Sequence, residues 1–219
     1  MNYRLPALCS AASLLLLAAP AQADDDFWVG AKAGTLGLGL EATWRPVPYL
    51  DVRGGFNAFS YDDTRSESGV EYDAELDLST FYATANLRVP LSPFRATVGI
   101  FSNGNEINLQ SNDAQQFTIG DQTFNASDVG TLNGNVTFDS VAPYAGVGLD
   151  FRMFDTVGLH IDAGVLFQGE PQLALVADGL LATDPTFQAE LEQERADVQS
   201  ELEDFEYYPV VSIGLSVNF

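Results

Sequence analysis

The last thirteen residues, YYPVVSIGLSVNF, put Val211, Ile213, Leu215, Val217 and Phe219 on one face of an extended strand and Ser212, Gly214, Ser216 and Asn218 on the other. Successive side chains of a strand point to opposite sides, so this period of two fixes the element type. One face needs an apolar neighbour, and the other carries neither grease nor bulk. Two architectures satisfy that demand: a half-buried strand of a soluble sandwich, or a strand of a membrane barrel. The rest of the chain discriminates between them.

The opening stretch, MNYRLPALCSAASLLLLAAPAQA, has one positive charge at Arg4, an apolar core through Ala19, and small residues at Ala21 and Ala23. That order is a secretory signal with its cleavage site. Residues 1–23 are therefore expected to be removed, leaving residues 24–219 as one β-barrel domain that begins at Asp24. Cys9, the sole cysteine, falls in the removed segment, and PALC lacks the small residue that precedes a lipoprotein cysteine. No internal disulfide and no lipid anchor are expected. After the signal, no apolar run approaches the roughly 18 residues that read as a spanning helix. The formal net charge of −22 argues against nucleic acid as a partner.

Glycines, prolines and polar clusters cut the remainder into stretches of period two. The first runs from Phe27 to about Thr35, and a tight Leu36–Gly37 connection leads to a second that ends near Arg45. After RPVPY, a third runs from Leu50 to about Ser60, where YDDTRSESGVEYD reads as a polar loop. LSTFYATANLRV is the fourth and FRATVGIFSN the fifth, followed by a long polar loop from about Gly104 to Leu132. APYAGVGLDF and VGLHIDAGVLFQ are the sixth and seventh, joined by the turn RMFDT, and an excursion from Gly169 to Asp204 precedes the eighth. The expected fold class is all-β: an eight-stranded antiparallel transmembrane barrel. Connections after strands two, four and six are short, and those after three, five and seven are long, which is the asymmetry of an outer-membrane barrel.

Parity gives the stronger argument. One face carries Val29, Leu38, Leu40, Trp44, Val52, Phe56, Phe81, Leu87, Val98, Ile100, Val147, Ile161 and Val165, and no charge. The opposite parity carries Lys32, Glu41, Arg53, Arg88, Arg95, His160 and Asp162 among many glycines. In a barrel the apolar face meets lipid and the charges point inward. The terminal strand then pairs with the first, removing sheet edges that hydrocarbon could not solvate. Trp44, Phe94, Phe151 and Phe219 are placed at the periplasmic ends as an interfacial aromatic girdle.

The segments VAPYAGVGLDF, GVLFQGEPQLAL and EYYPVVSIGLSVNF, with AKAGTLGLGLE near the start, resemble the small outer-membrane proteins that include the carbapenem-associated outer-membrane protein of acinetobacters. The resemblance is densest over the last 80 or so residues, and the middle loops do not share it. It implies an eight-stranded barrel engaged in passive uptake, with basic amino acids such as ornithine and carbapenems as solutes. SIGLSVNF also resembles the terminal signal by which such barrels are assembled, with Gly214, Val217 and Phe219 as its residues.

Lys32, Arg45, Arg53, Arg88 and Arg95 share inward parity with Glu41, Asp51, Asp150 and Asp162. An eight-stranded barrel is just wide enough for its side chains to fill. These groups either pair into a plug or line a narrow polar pathway. Outside, YDDTRSESGVEYDAELD holds seven acids against Arg65, and ten acids from Glu170 to Asp204 face Arg195 alone. Such loops concentrate cations at a mouth, bridge lipopolysaccharide through divalent ions, or simply stay solvated. TDPTFQAELEQERADVQSELEDF is a helix, capped by Thr183 or Asp184, with Pro185 in its first turn and an apolar stripe of Phe187, Leu191, Val198, Leu202 and Phe205. It either covers the mouth as a lid or packs on neighbouring loops.

His160 and Asp162, two apart with one parity, are the nearest thing to a catalytic pair. No serine elbow or metal-ligand cluster accompanies them, so neither catalysis nor a cofactor or metal is expected. The sequence reading is a cation-favouring passive uptake barrel of the Gram-negative outer membrane. Its expected partners are outer-membrane lipid, lipopolysaccharide, the barrel-assembly machinery and small solutes. The alternative is a non-conducting barrel serving envelope integrity or surface contact.

Overall fold

The computed structural model describes residues 27–67, 70–112, 115–153 and 156–218. The expected signal at residues 1–23, the expected start at Asp24 and the terminal Phe219 lie outside them. The strands are β1 (Phe27–Gly34), β2 (Gly37–Val47), β3 (Leu50–Glu67), β4 (Val70–Arg88), β5 (Phe94–Asn103), β6 (Glu106–Ser111), β7 (Gln116–Ile119), β8 (Gln122–Asn125), β9 (Leu132–Thr137), β10 (Val141–Met153), β11 (Val157–Phe167), β12 (Gln172–Ala177) and β13 (Tyr207–Asn218). Helix α1 spans Ala126–Val129 and α2 spans Pro185–Leu202.

Eight of these strands close a ring in the order β1, β2, β3, β4, β5, β10, β11, β13, with every neighbour antiparallel. Closure is made by β13 on β1, where Val217 faces Val29, Gly214 faces Lys32 and Ser212 faces Gly34. No helix among the described residues is long and apolar enough to cross a membrane. The outward side chains of the ring form a continuous apolar belt in which Leu38 is 67% exposed, Phe81 65%, Val98 61% and Val147 59%. Water would not tolerate such a band, and hydrocarbon requires it. Trp44, Phe94 and Phe151 stand exposed at the end where the short connections lie, which is the girdle position.

At the other end the chain departs from its sequence reading. The stretch expected as a polar loop after Ser60 is strand: β3 and β4 stay paired from Leu50 opposite Leu87 up to Glu67 opposite Val70. At about 3.3 Å per residue this hairpin is some 60 Å long, twice what the hydrocarbon core needs. The expected loop after Gly104 likewise holds β6, β7, β8, α1 and the start of β9, and the later excursion holds β12. Strands β4, β6, β9 and β12 pair in succession. The upper hairpin thus continues into a small sheet above the membrane. Both faces of that sheet meet water or loops, so the lipid-facing alternation that marks the lower strands is absent, while the backbone ladder continues.

Helix α2 packs on this outer module and supports the second of its two expected roles. Asp184 caps it by accepting from the Thr186 and Phe187 amides at 2.9 and 3.0 Å, with Pro185 in its first turn. Phe187 and Leu191 are buried with Phe117, Ile119, Val129 and Ala177. Two of the loop acids have specific work. Glu190 accepts from the Asp121 amide at 3.0 Å and from Gln122 Nε2 at 2.7 Å, and Glu194 accepts from the Gly120 amide at 3.0 Å. Gly120, with φ of 59°, presents those amides where a side chain would strain the turn.

Candidate lumen site

Inward parity delivers the charged residues to one another. Lys32 Nζ lies 3.8 Å from Glu41 Oε2, and Arg53 Nε lies 3.4 Å from Glu41 Oε1. Arg53 Nη1 is 3.4 Å from Asp162 Oδ2, and Asp162 pairs in turn with Arg95. Arg95 Nε reaches Asp150 at 3.0 Å, Asp150 takes Arg88 Nη2 at 2.9 Å, and Arg88 Nε donates to Asp51 at 2.6 Å. The result is one chain of alternating sign: Lys32, Glu41, Arg53, Asp162, Arg95, Asp150, Arg88, Asp51. It joins strands from every side of the ring, and its formal charges cancel.

Lys32, Glu41, Arg53, Arg88, Arg95, His160 and Asp162 all meet in this network, whereas Arg45, expected inward with them, does not join it and its Nε has no hydrogen-bond partner. His160 joins through Glu41, with Nε2 3.0 Å from Oε1. Its partner is therefore not Asp162, the neighbour suggested by spacing. Parity places His160 and Asp162 on one side of β11, but the ring brings Glu41 from β2 to the imidazole and Arg53 and Arg95 to the carboxylate. Asp51 and Asp150 complete the chain, as their parity implies.

Neutral groups that the sequence reading did not single out finish the hydrogen bonding. Tyr82 donates to Glu41 Oε2 at 2.8 Å, and its ring lies 4.0 Å beneath the Lys32 ammonium. Arg95 Nη1 donates to Asn86 Oδ1 at 2.9 Å and to Thr97 Oγ1 at 3.0 Å. Charges removed from water demand this density of partners. Inward parity was the available signal for these residues, since each alternates with a lipid-facing neighbour.

Outward of the network sits an apolar layer. Leu36, Tyr82, Phe101, Ala142, Tyr144, Leu166 and Val210 pack together, with Tyr82 stacked on Phe101 at 5.0 Å between ring centroids. Leu36 comes from the tight turn between β1 and β2, where Gly37 takes a φ of 92°. That turn folds inward instead of standing up as a loop. Two cavities within the charged region measure about 30 and 20 Å³, room for about a water molecule each.

Two solved structures are similar over most of the chain. One is CarO2 of Acinetobacter baumannii, at 21% identity and a TM-score of 0.60, matching 89% of this chain and 98% of that one. The other is CarO of the same organism, at 22% identity and a TM-score of 0.58, matching 88% and 97%. The fold is that of the CarO barrels. A CarO-like ring of eight strands, belted with apolar side chains, is an outer-membrane protein. No protein-family profile matches the chain, and no curated protein matches it either.

Four acids of the long hairpin face elsewhere than the lumen. Asp62, Asp73, Glu75 and Asp77 have the parity of Phe56, Ala58, Ser79 and Phe81, so they continue the lipid-facing side above the bilayer. With Asn108, Gln110, Asn133 and Asn135, Asp62, Asp73 and Glu75 line an open cleft of about 600 Å³ on the outer sheet. A cation-collecting mouth built from these acids is therefore not what the register makes.

Proposed function

We propose that the protein is a closed outer-membrane barrel that carries a polar outer module for contact with the surrounding lipopolysaccharide. The observation that supports this most is the lumen: a charge-balanced chain of eight side chains under an aromatic cap, with voids of about 20 and 30 Å³. A conducting path needs continuous water, and paired charges of this kind release one another only at a cost of several kcal/mol. Carboxamide and carboxylate rows on the outer sheet suit sugar hydroxyls at the membrane surface.

Recording from the purified full chain in planar bilayers tests this reading. A folded but silent barrel is the expected outcome. Discrete open levels that prefer cations would select the second reading, passive uptake of small cationic solutes such as basic amino acids. The resemblance to the carbapenem-associated protein implies that reading, and the acidity of the outer surface favours it. In either case Gly214, Val217 and Phe219 are proposed as the terminal signal read by the assembly machinery. The chain is proposed to act without catalysis and without a cofactor.

A further inference from the structure

We propose that the periplasmic mouth of the barrel holds a binding site for a single carboxylate head, taken up by Arg45 and Arg152. A recess of about 30 Å³ lies at the end of the lumen where the short connections run, which is the periplasmic end. Four arginines line it: Arg45, Arg53, Arg88 and Arg152. Two are already neutralised, Arg53 by Glu41 and Asp162, and Arg88 by Asp51 and Asp150. Arg45 and Arg152 form no ion pair among the described residues. Asp150, the one acid among the described residues of the lining, is itself held by Arg88 and Arg95. The recess thus adds two positive charges to a chain whose own charges cancel.

Local structure places both arginines. The register between β2 and β3 shifts between Trp44 and Val47, and a bulge of this kind re-aims a side chain, so Arg45 lines the recess without reaching the network. Its Nε is buried, which leaves the terminal Nη groups as the edge that meets a ligand. Arg152 follows Asp150 with the same parity on β10, and its Cζ lies 5.1 Å from the centroid of the Trp28 ring. Trp28 is 5% exposed and lies against Gly158, so the wall that carries Arg152 is fixed. A guanidinium held by its face keeps its N–H edge for another acceptor, and that edge matches the two oxygens of a carboxylate. The recess admits one small head, and a planar group with two oxygens suits it better than a tetrahedral one with four. Arg152 is exposed, so the rest of the ligand can stay outside the mouth. The site stands whether or not the barrel conducts.

The protein in lipid nanodiscs, isotope-labelled at its two tryptophan indoles, can be titrated with acetate, acetamide and inorganic phosphate at constant ionic strength. Trp44→Phe assigns the two signals. A saturable shift at Trp28 is expected with acetate, none with acetamide, and at least tenfold weaker binding with phosphate. Arg45→Gln and Arg152→Gln should each weaken acetate at least tenfold. Gel mobility before and after boiling shows that each variant still forms a barrel, and the Lys variant, which keeps the charge but loses the fork, replaces either one that does not. Asp24, Asp25 and Asp26 precede β1 in the sequence, so a chain with Asp24→Asn, Asp25→Asn and Asp26→Asn is titrated as well. Acetate bound by that chain alone would overturn a site for an outside ligand, because the protein's own acids would then fill it. Absence of a saturable shift, an equal response to acetamide or phosphate, or unchanged affinity in the arginine variants would also overturn the assignment.

Discussion

Gly214 on β13 and His160 on β11 are register partners, and the imidazole occupies the space in which a Cβ at position 214 would stand. Among the residues read from sequence as an assembly signal, this glycine therefore has a packing reason of its own. It lets the imidazole lie flat against the wall and reach Glu41 at 3.0 Å. Gly214→Ala should lower the unfolding free energy by about 1–3 kcal/mol, the usual range for overpacking. Measured by denaturant unfolding in vesicles, most of that loss should vanish when His160→Ala is made in the same chain. An equal loss in both backgrounds would show that the contact is not the cause.

Arg95 is the node of the lumen chain, pairing with Asp150 and Asp162 and donating to Asn86 and Thr97. Arg95→Met leaves Asp150 with Arg88 alone and Asp162 with Arg53 alone, and a loss of about 3 kcal/mol is expected. Combining it with Asp162→Leu should cost less than the sum of the two single changes, because the residues share one interaction. A double-mutant cycle on the refolded barrel measures the difference.

Phe187 is fully buried and meets Phe124 edge-on at 5.1 Å between centroids. Phe187→Ala should loosen the outer module by about 3–5 kcal/mol while leaving the ring intact. Hydrogen exchange is the appropriate readout. Amides of β7, β8 and β12 should exchange faster, and those of β5, β10 and β11 should not change. Uniform acceleration would mean that the module and the barrel unfold as one unit.

On the outer sheet, the Asp77 charge beside Glu75 pushes the Glu75 carboxyl above its ordinary range, with smaller contributions from burial, Asp62 and Glu106. A carboxyl raised in the folded state opposes folding when charged, and that opposition fades as pH falls through its folded pKa. Asp77→Asn should bring the Glu75 titration down towards the ordinary value, as followed by carboxyl NMR. Asp73, held low by hydrogen bonds from Asn112 and Thr64, should titrate as before. A Glu75 titration that ignores the substitution would place the repulsion elsewhere.

The sequence by itself determined the ring. Residues such as Val29, Phe81, Val98 and Val147 alternate with Lys32, Arg88 and Arg95, and lipid on one side with a filled lumen on the other makes that parity obligatory. It also determined helix α2, through Asp184, Pro185 and the Phe187–Leu191 pair, because cap and stripe are local features. Two matters were left to the tertiary structure. The outer sheet was one, since strands in water need no lipid-facing row and the stretch from Tyr61 to Asp73 carries turn-like polar residues throughout. The partnering of charges was the other: spacing along β11 put His160 near Asp162, whereas closure carried Glu41, Arg53 and Arg95 in from three other strands. Parity assigns a side chain to a face, but which opposite charge it meets depends on the register and curvature of the closed ring.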